Sequence, residues 1–331
     1  MSIDFLRSHV TGHEQQKEQL SVALEKGSLP HALLFTGPAG IGKRRLARAV
    51  AALVLSNEES QLPTETARTQ TMLGTHPDLH LVAKTSSQKD LSVEAIRDLT
   101  HQLQLKPYIA KKTVGIIDDA HTMSIAAANS LLMTLEEPNA NVHLILISDA
   151  YHKLPPTIVS RCQIVHFADL SAADTRMVLQ EQLKSFPDID IGALHNIARH
   201  NLAPLQLAPF VEEKTLVVTD SEESRAHLDN VVSLTKSLST RLDEIFARDA
   251  NDAPIAAIMA VASEYADKQR SPFFWSLLRG ALREKLTRSA DVTRWANALE
   301  HSLEAERLVV ERNASPQIQL STSLLSAFSV R

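Results

Sequence analysis

The segment Gly37-Pro38-Ala39-Gly40-Ile41-Gly42-Lys43-Arg44 sets Gly37 and Gly42 either side of a four-residue spacer and follows the second with lysine. Glycine at these positions lets consecutive backbone N–H groups turn inward around phosphate oxygens, and Lys43 can reach the outer phosphates of a nucleotide. Gly40 adds further backbone freedom. The last position of such a loop is ordinarily Ser or Thr, whose hydroxyl holds Mg²⁺. Here it is Arg44, a cation with no acceptor atom, which repels a metal. Two readings stand: a phosphate-binding loop with weakened chemistry, or a glycine turn that only joins a strand to a helix.

A second constellation lies at Val114-Gly115-Ile116-Ile117-Asp118-Asp119. An apolar strand delivering carboxylates at its C-terminal end suits Asp118 to hold Mg²⁺ through water. Asp119 stands where nucleotide hydrolases of this pattern place a glutamate that orients the attacking water. Aspartate is one methylene shorter, a shortfall of about 1.5 Å. Misplacement of about 1 Å costs roughly a hundredfold in rate. The plain alternative is a pair of carboxylates capping a strand end. Gly37, Gly40, Gly42, Lys43, Arg44, Asp118 and Asp119 are therefore the candidate nucleotide-contacting residues.

The elements around them alternate. Apolar runs at His31–Thr36, Leu79–Ala83, Thr113–Ile117, His143–Ser148 and Ile164–Phe167 read as strands. Between them, Arg44–Leu55, a helix capped by Ser92 and carrying Val93, Ile96, Leu99 and Leu103, and Ile125–Glu137 have helical periodicity. Continuous apolar strands separated by helices predict a parallel sheet covered on both faces. The polar stretch Ser56–Gln70 reads as a mobile loop. Beyond Asp169 only helical patterns remain: short ones at 171–183, 191–200 and 205–211, then longer ones near 226–248, 253–267, 272–287, 290–311 and 317–329, as in a helical bundle.

The whole chain limits the choices. At 331 residues it supports two or three domains. A net charge of -5 argues against a whole-molecule grip on nucleic acid, leaving room for a local basic patch. One cysteine, Cys162, forms no intrachain disulfide and reads as a small buried hydrophobe rather than a nucleophile. The 14 histidines show no metal-ligand spacing. With no secretion signal pattern and no apolar run near the roughly 20 residues that span a bilayer, a cytoplasmic protein is expected.

Three further segments carry a resemblance: Thr75-His76-Pro77-Asp78, the helix Ala126–Pro138 ending Leu135-Glu136-Glu137-Pro138, and Leu154–Cys162 ending Ser160-Arg161-Cys162. With the glycine loop and the two aspartates, in this order over roughly 30–167, the sequence resembles the AAA+ clamp-loader subunits of bacterial DNA polymerase III. It resembles their delta-prime branch more than the gamma/tau branch, since it ends at residue 331 without the long tau extension.

The resemblance implies an α/β P-loop (AAA+/RecA-like) parallel-sheet domain over 1–167, a small helical lid over 168–212 and an all-α collar domain over 213–331. It implies a place in a five-subunit ring with gamma/tau and delta subunits, contact with the sliding clamp and primed DNA through that complex, and no membrane. Arg161 then matches an arginine finger offered to ATP held by a neighbouring subunit; without the resemblance, a surface arginine paired to a carboxylate is the simpler reading. Glu136 and Glu137, at a helix end before proline, read as structural contacts.

Departures matter too. The cysteines that hold zinc in many relatives are absent from Ser56–Gly74, so no zinc is expected. Arg44 breaks the Mg²⁺ position. The lid's sensor arginine falls near Pro204, with Arg199 out of register. ATP or ADP binding is expected to be weakened, Mg²⁺ binding doubtful, and the role that of a stator that does not hydrolyse ATP alone. The competing functions are an active AAA+ ATPase, gamma-like or a helicase loader, and a solitary nucleotide-sensing adaptor.

Overall fold

The computed structural model describes residues 2–56, 60–84, 90–182, 222–247, 253–265, 271–289, 291–312 and 314–328. They fall in two compact units, the first ending at Asp174 and the second beginning at Thr175.

Five parallel strands form the sheet of the first unit: β1 (Ala32–Thr36), β2 (Leu79–Val82), β3 (Thr113–Ile117), β4 (Val142–Ser148) and β5 (Gln163–His166), in the order β2-β3-β4-β1-β5. Side chains alternate between faces along each strand. Leu33 and Phe35 of β1, Ile116 of β3, and Ile145 and Ile147 of β4 pack with Leu46, Val50 and Val54 of helix α3 (Lys43–Leu55). Ala32 and Leu34, Ile117, and Leu144 and Leu146 pack on the other face with Ile96, Leu99 and Leu103 of α5 (Val93–Gln104) and Ala127, Leu131 and Leu135 of α6 (Ile125–Glu136). The expected sheet covered on both faces is present. The Ser92 hydroxyl caps α5 by accepting from Ala95 N at 3.1 Å, and Ser124 caps α6 in the same way.

Two helices precede the sheet, α1 (Ser2–His9) and α2 (Glu14–Glu25). Neither announces itself in the sequence, for a physical reason. In α1 only Leu6 is buried, and α2 buries Lys17, Leu20 and Ser21, too mixed a stripe to read as an apolar face. Lys17 is tolerable there because its ammonium donates to Val10 O at 2.9 Å and pairs with Glu14.

The loop expected over 56–70 is corrected in part. Helix α4 (Thr64–Leu73) begins within it and takes up residues 64–70, burying Ala67 and Thr71 and ending at Gly74 in the left-handed conformation. Short α7 (Pro156–Val159) leads into β5, and α8 (Ala172–Gln182) follows it.

The second unit is helical among its described residues: α9 (Glu222–Phe246), α10 (Ile255–Glu264), α11 (Ser271–Arg288), α12 (Val292–Arg312) and α13 (Pro316–Ser326). Its core gathers Leu238, Leu242, Phe246, Tyr265, Phe274, Trp275 and Trp295, with Phe246 edge-on to Trp295 at 5.4 Å. Arg279, 5% exposed, pairs with Glu306. The expected helices at 191–200 and 205–211 and the sensor position near Pro204 and Arg199 lie outside the described residues. Among the described residues no helix is long and apolar enough to cross a membrane.

Candidate functional site

In a parallel sheet the C-terminal strand ends share one edge, and ligands of open α/β folds bind in the crevice beyond it. Here that edge gathers the glycine loop after β1, Asp118 and Asp119 after β3, Asp149 after β4 and Lys84 just past β2. The seven nucleotide-site candidates thus converge, joined by Asp149, Lys84 and His13, which sequence reasoning missed. For Asp149 a signal existed: it follows the longest apolar strand, next to the strand that feeds the loop.

The loop backbone is specified by glycine at its ends. Gly37 has φ +147°, and a Cβ there would lie 2.2 Å from Phe167 O. Phe167 N donates to Thr36 O at 2.7 Å, which holds Phe167 against the end of β1. Gly42 has φ +98°, and a Cβ there would meet only Val10 Cγ1, at 3.9 Å. Gly37→Ala is therefore expected to cost about 2–4 kcal/mol from overlap plus strain, and Gly42→Ala about 1 kcal/mol from strain alone. Hydrogen exchange of the β1 amides checks this: protection should fall much further in the first variant.

His13 holds the middle of the loop. It adopts a left-handed backbone, φ 58°, at the start of α2, sits edge-on to Phe167 at 5.1 Å, and its Nε2 lies 2.7 Å from Ile41 O. A carbonyl only accepts, so Nε2 carries the proton. Burial holds this imidazole below its usual value and keeps it neutral at pH 7.

The charged groups pair among themselves. Lys43, 4% exposed, donates from Nζ to Gly37 O at 2.7 Å, to Pro38 O, and to Asp149 Oδ1 at 2.7 Å. Arg44 donates through Nε and Nη2 to Asp118 Oδ2, and Asp118 Oδ1 accepts from Asp119 N at 3.0 Å. Burial pushes the Asp118 carboxyl above its usual value, while the Arg44 guanidinium draws it back. Asp119 has a left-handed backbone, φ 51°, and its Oδ2 lies 3.7 Å from Lys84 Nζ.

Mg²⁺ does not fit these residues. Position 44 supplies no oxygen, and the Asp118 oxygen that would face a metal receives a guanidinium instead. Among the described residues no cluster of His, Cys, Asp and Glu has the arrangement of a metal site.

Arg161 lies at the other edge. It precedes β5, whose Gln163 is level with Leu33 at the start of β1. Four residues of strand, about 13 Å at ~3.3 Å each, separate that level from Gly37. Its Nη2 pairs with Glu136 Oε1 at 2.7 Å, and its Nη1 donates to Thr157 O at 3.0 Å. Its side chain remains 36% exposed, on the edge opposite the glycine loop. Glu136 makes the structural contact expected of it.

Next to Arg161, Cys162 packs against the α5–α6 face of the core, and burial pushes its thiol up to about 11. Relative to an unfolded-chain thiol near 8.5, alkylation at about pH 7.5 should be slower by about 10²-fold and should accelerate tenfold per pH unit toward that value. Iodoacetamide labelling of native and urea-unfolded chain measures the ratio.

The remaining sequence mark has a structural meaning. The Asp78 carboxylate, 3% exposed, accepts from the N–H groups of Tyr108, Ile109 (2.8 Å) and Ala110 (2.7 Å). Asp78 N in turn donates to His76 Nδ1 at 3.1 Å.

Residues 12–171 match the family model described as DNA polymerase III, delta subunit. The DNA polymerase III subunit delta' of Pseudomonas aeruginosa is 38% identical over 135 residues, 40% of this chain and 41% of that protein. The subunit delta' of Bacillus subtilis is 36% identical over 181 residues, 53% of this chain and 54% of that protein. Subunit tau of Bacillus subtilis is 32% identical over 195 residues, 57% of this chain and 34% of that protein. The chain thus spans about half or less of the length of these relatives. The matched segment, residues 12–171, is the one that builds the sheet, the glycine loop and the Arg161 edge, and over it the chain is similar to the DNA polymerase III delta-subunit family.

Proposed function

We propose that the chain is a delta-prime-type subunit of a bacterial DNA polymerase III clamp loader, contributing to ATP-dependent loading of a sliding clamp on primed DNA without hydrolysing ATP itself. The observation that carries this reading is the opposite fate of two cations. Lys43 is consumed inside its own loop, whereas Arg161 stands on the far edge of the sheet, partly exposed and fixed by Glu136 and Thr157. A guanidinium on that edge can neutralise charge on a phosphoryl group in transfer only in a neighbouring subunit. Glu136 holds it in place in the free chain, and the larger negative charge of a nucleotide across an interface outcompetes a single exposed carboxylate. Asp119, short by a methylene and facing Lys84, is poorly placed to orient a water.

The proposed organisation is three domains, 1–167, 168–212 and 213–331, with the helical third joining gamma/tau and delta partners. The test is reconstitution: the purified chain is mixed with gamma/tau-type and delta-type subunits and resolved by native mass spectrometry. A single hetero-oligomer containing this chain is expected. A chain that stays apart from both partners rules the reading out.

A further inference from the structure

We infer that the nucleotide site of the first unit is liganded by its own side chains: Arg44 takes the cation's place on Asp118, and Asp149 takes a phosphate oxygen's place on Lys43. The ammonium donors of Lys43 and the carboxylate oxygens of Asp118 are taken up by neighbouring residues. A lysine ammonium has three N–H donors. Those of Lys43 go to Gly37 O, Pro38 O and Asp149 Oδ1, and none is left for a phosphate. On Asp118, Oδ1 accepts from Asp119 N and Oδ2 accepts from Arg44 twice. The carboxylate that would face a metal is taken up by a tethered cation.

Charge leads to the same result. Lys43 and Arg44 against Asp118 and Asp149 sum to zero, so this cluster presents no net attraction to a polyanion such as ATP. What remains is the N-terminus of α3, whose pull on an anion is screened and local. Opening the site means separating Lys43, 4% exposed, from Asp149 and exposing Asp118, whose side chain is 15% exposed, to an incoming metal that Arg44 repels.

The consequence is mechanical as well as chemical. A bound nucleotide bridging the loop to the ends of β3 and β4 does so only while bound, which makes the geometry ligand-dependent. Here the same bridges are covalently attached: Arg44 ties the first turn of α3 to the end of β3, and Lys43 ties the loop to the residue after β4. The loop then holds one conformation whatever the nucleotide concentration. This rests on the loop's contacts alone and stands or falls independently of the proposed place in a clamp loader.

The experiment uses the full chain. Calorimetry and thermal unfolding are recorded with ATP and ADP at about 1 mM, with Mg²⁺ or with a chelator; the wild type is expected to give no binding heat and a shift below about 1 °C. Mn²⁺ paramagnetic resonance should show no ion held by the chain. The double variant Arg44→Thr with Asp149→Asn restores a metal-holding hydroxyl and releases Lys43. It should gain Mg²⁺-dependent ATP binding at least about tenfold stronger than wild type, with a matching rise in Tm. Mg²⁺-dependent ATP binding by the wild type overturns the inference, and so does a folded double variant that binds no better than wild type. If the double variant does not fold, Asp149→Asn alone decides the Lys43 half: a gain in metal-independent ADP binding supports it, and no gain overturns it.

Discussion

Arg161→Ala is expected to reduce ATP turnover at the site it faces in the assembled complex by about 10³-fold or more, while leaving this chain's own stability nearly unchanged. The two halves of that expectation come from different features. The large kinetic effect follows from removing a guanidinium that offsets charge appearing only in the transition state. The small stability effect follows from the exposed pairing with Glu136, since ion pairs at the surface contribute about 0–1 kcal/mol. Arg161→Lys should rescue little, because a compact ammonium cannot reproduce the planar fork. Single-turnover hydrolysis by the reconstituted complex, alongside thermal unfolding of the isolated variant, separates the two. An unchanged rate contradicts the finger assignment. A collapse in stability would instead make Arg161 a fold residue.

Asp78→Ala should be the most destabilising single change in the first unit outside its apolar core, at about 3–5 kcal/mol. Three backbone N–H groups, of Tyr108, Ile109 and Ala110, converge on one carboxylate that is 3% exposed. Removing it leaves three donors without the acceptor that now satisfies them, and this segment is the entry to β3, which positions Asp118. Tm should fall by roughly 8–16 °C for a unit of this size. Asp78→Asn should fall between the two, because an amide keeps one acceptor oxygen and turns a donor toward the other N–H groups. Hydrogen exchange locates the damage. Protection should drop first at Tyr108, Ile109 and Ala110, and an effect spread evenly over the sheet would contradict the staple.

The contrast between these two residues shows what a sequence makes legible. Strands such as Thr113–Ile117 and Val142–Ser148 are buried on both faces, so their apolar runs declare themselves, and the glycine loop follows because its spacing is local. Helices α1 and α2 bury too few apolar side chains to show a stripe. Asp78 was visible only as a family mark, because its partners lie some thirty positions along the chain and are backbone groups with no residue signature. Asp149 follows the longest apolar strand, but its partner Lys43 is 106 positions away and only the fold brings the two together. Arg44 reads in the sequence as a cation that repels a metal. Its actual partner, Asp118, emerges only when the parallel sheet brings the ends of β1 and β3 to one edge. Single-residue chemistry was legible, whereas pairing across the sheet edge needed the fold.

On the function proposed for this chain, its catalytic contribution lies in Arg161 and not in its own glycine loop. Steady-state ATP hydrolysis by the purified, isolated chain with Mg²⁺, set beside the reconstituted complex at the same concentration, decides between the two. No turnover by the chain alone and Arg161-dependent turnover by the complex are expected. Robust hydrolysis by the isolated chain would contradict the assignment.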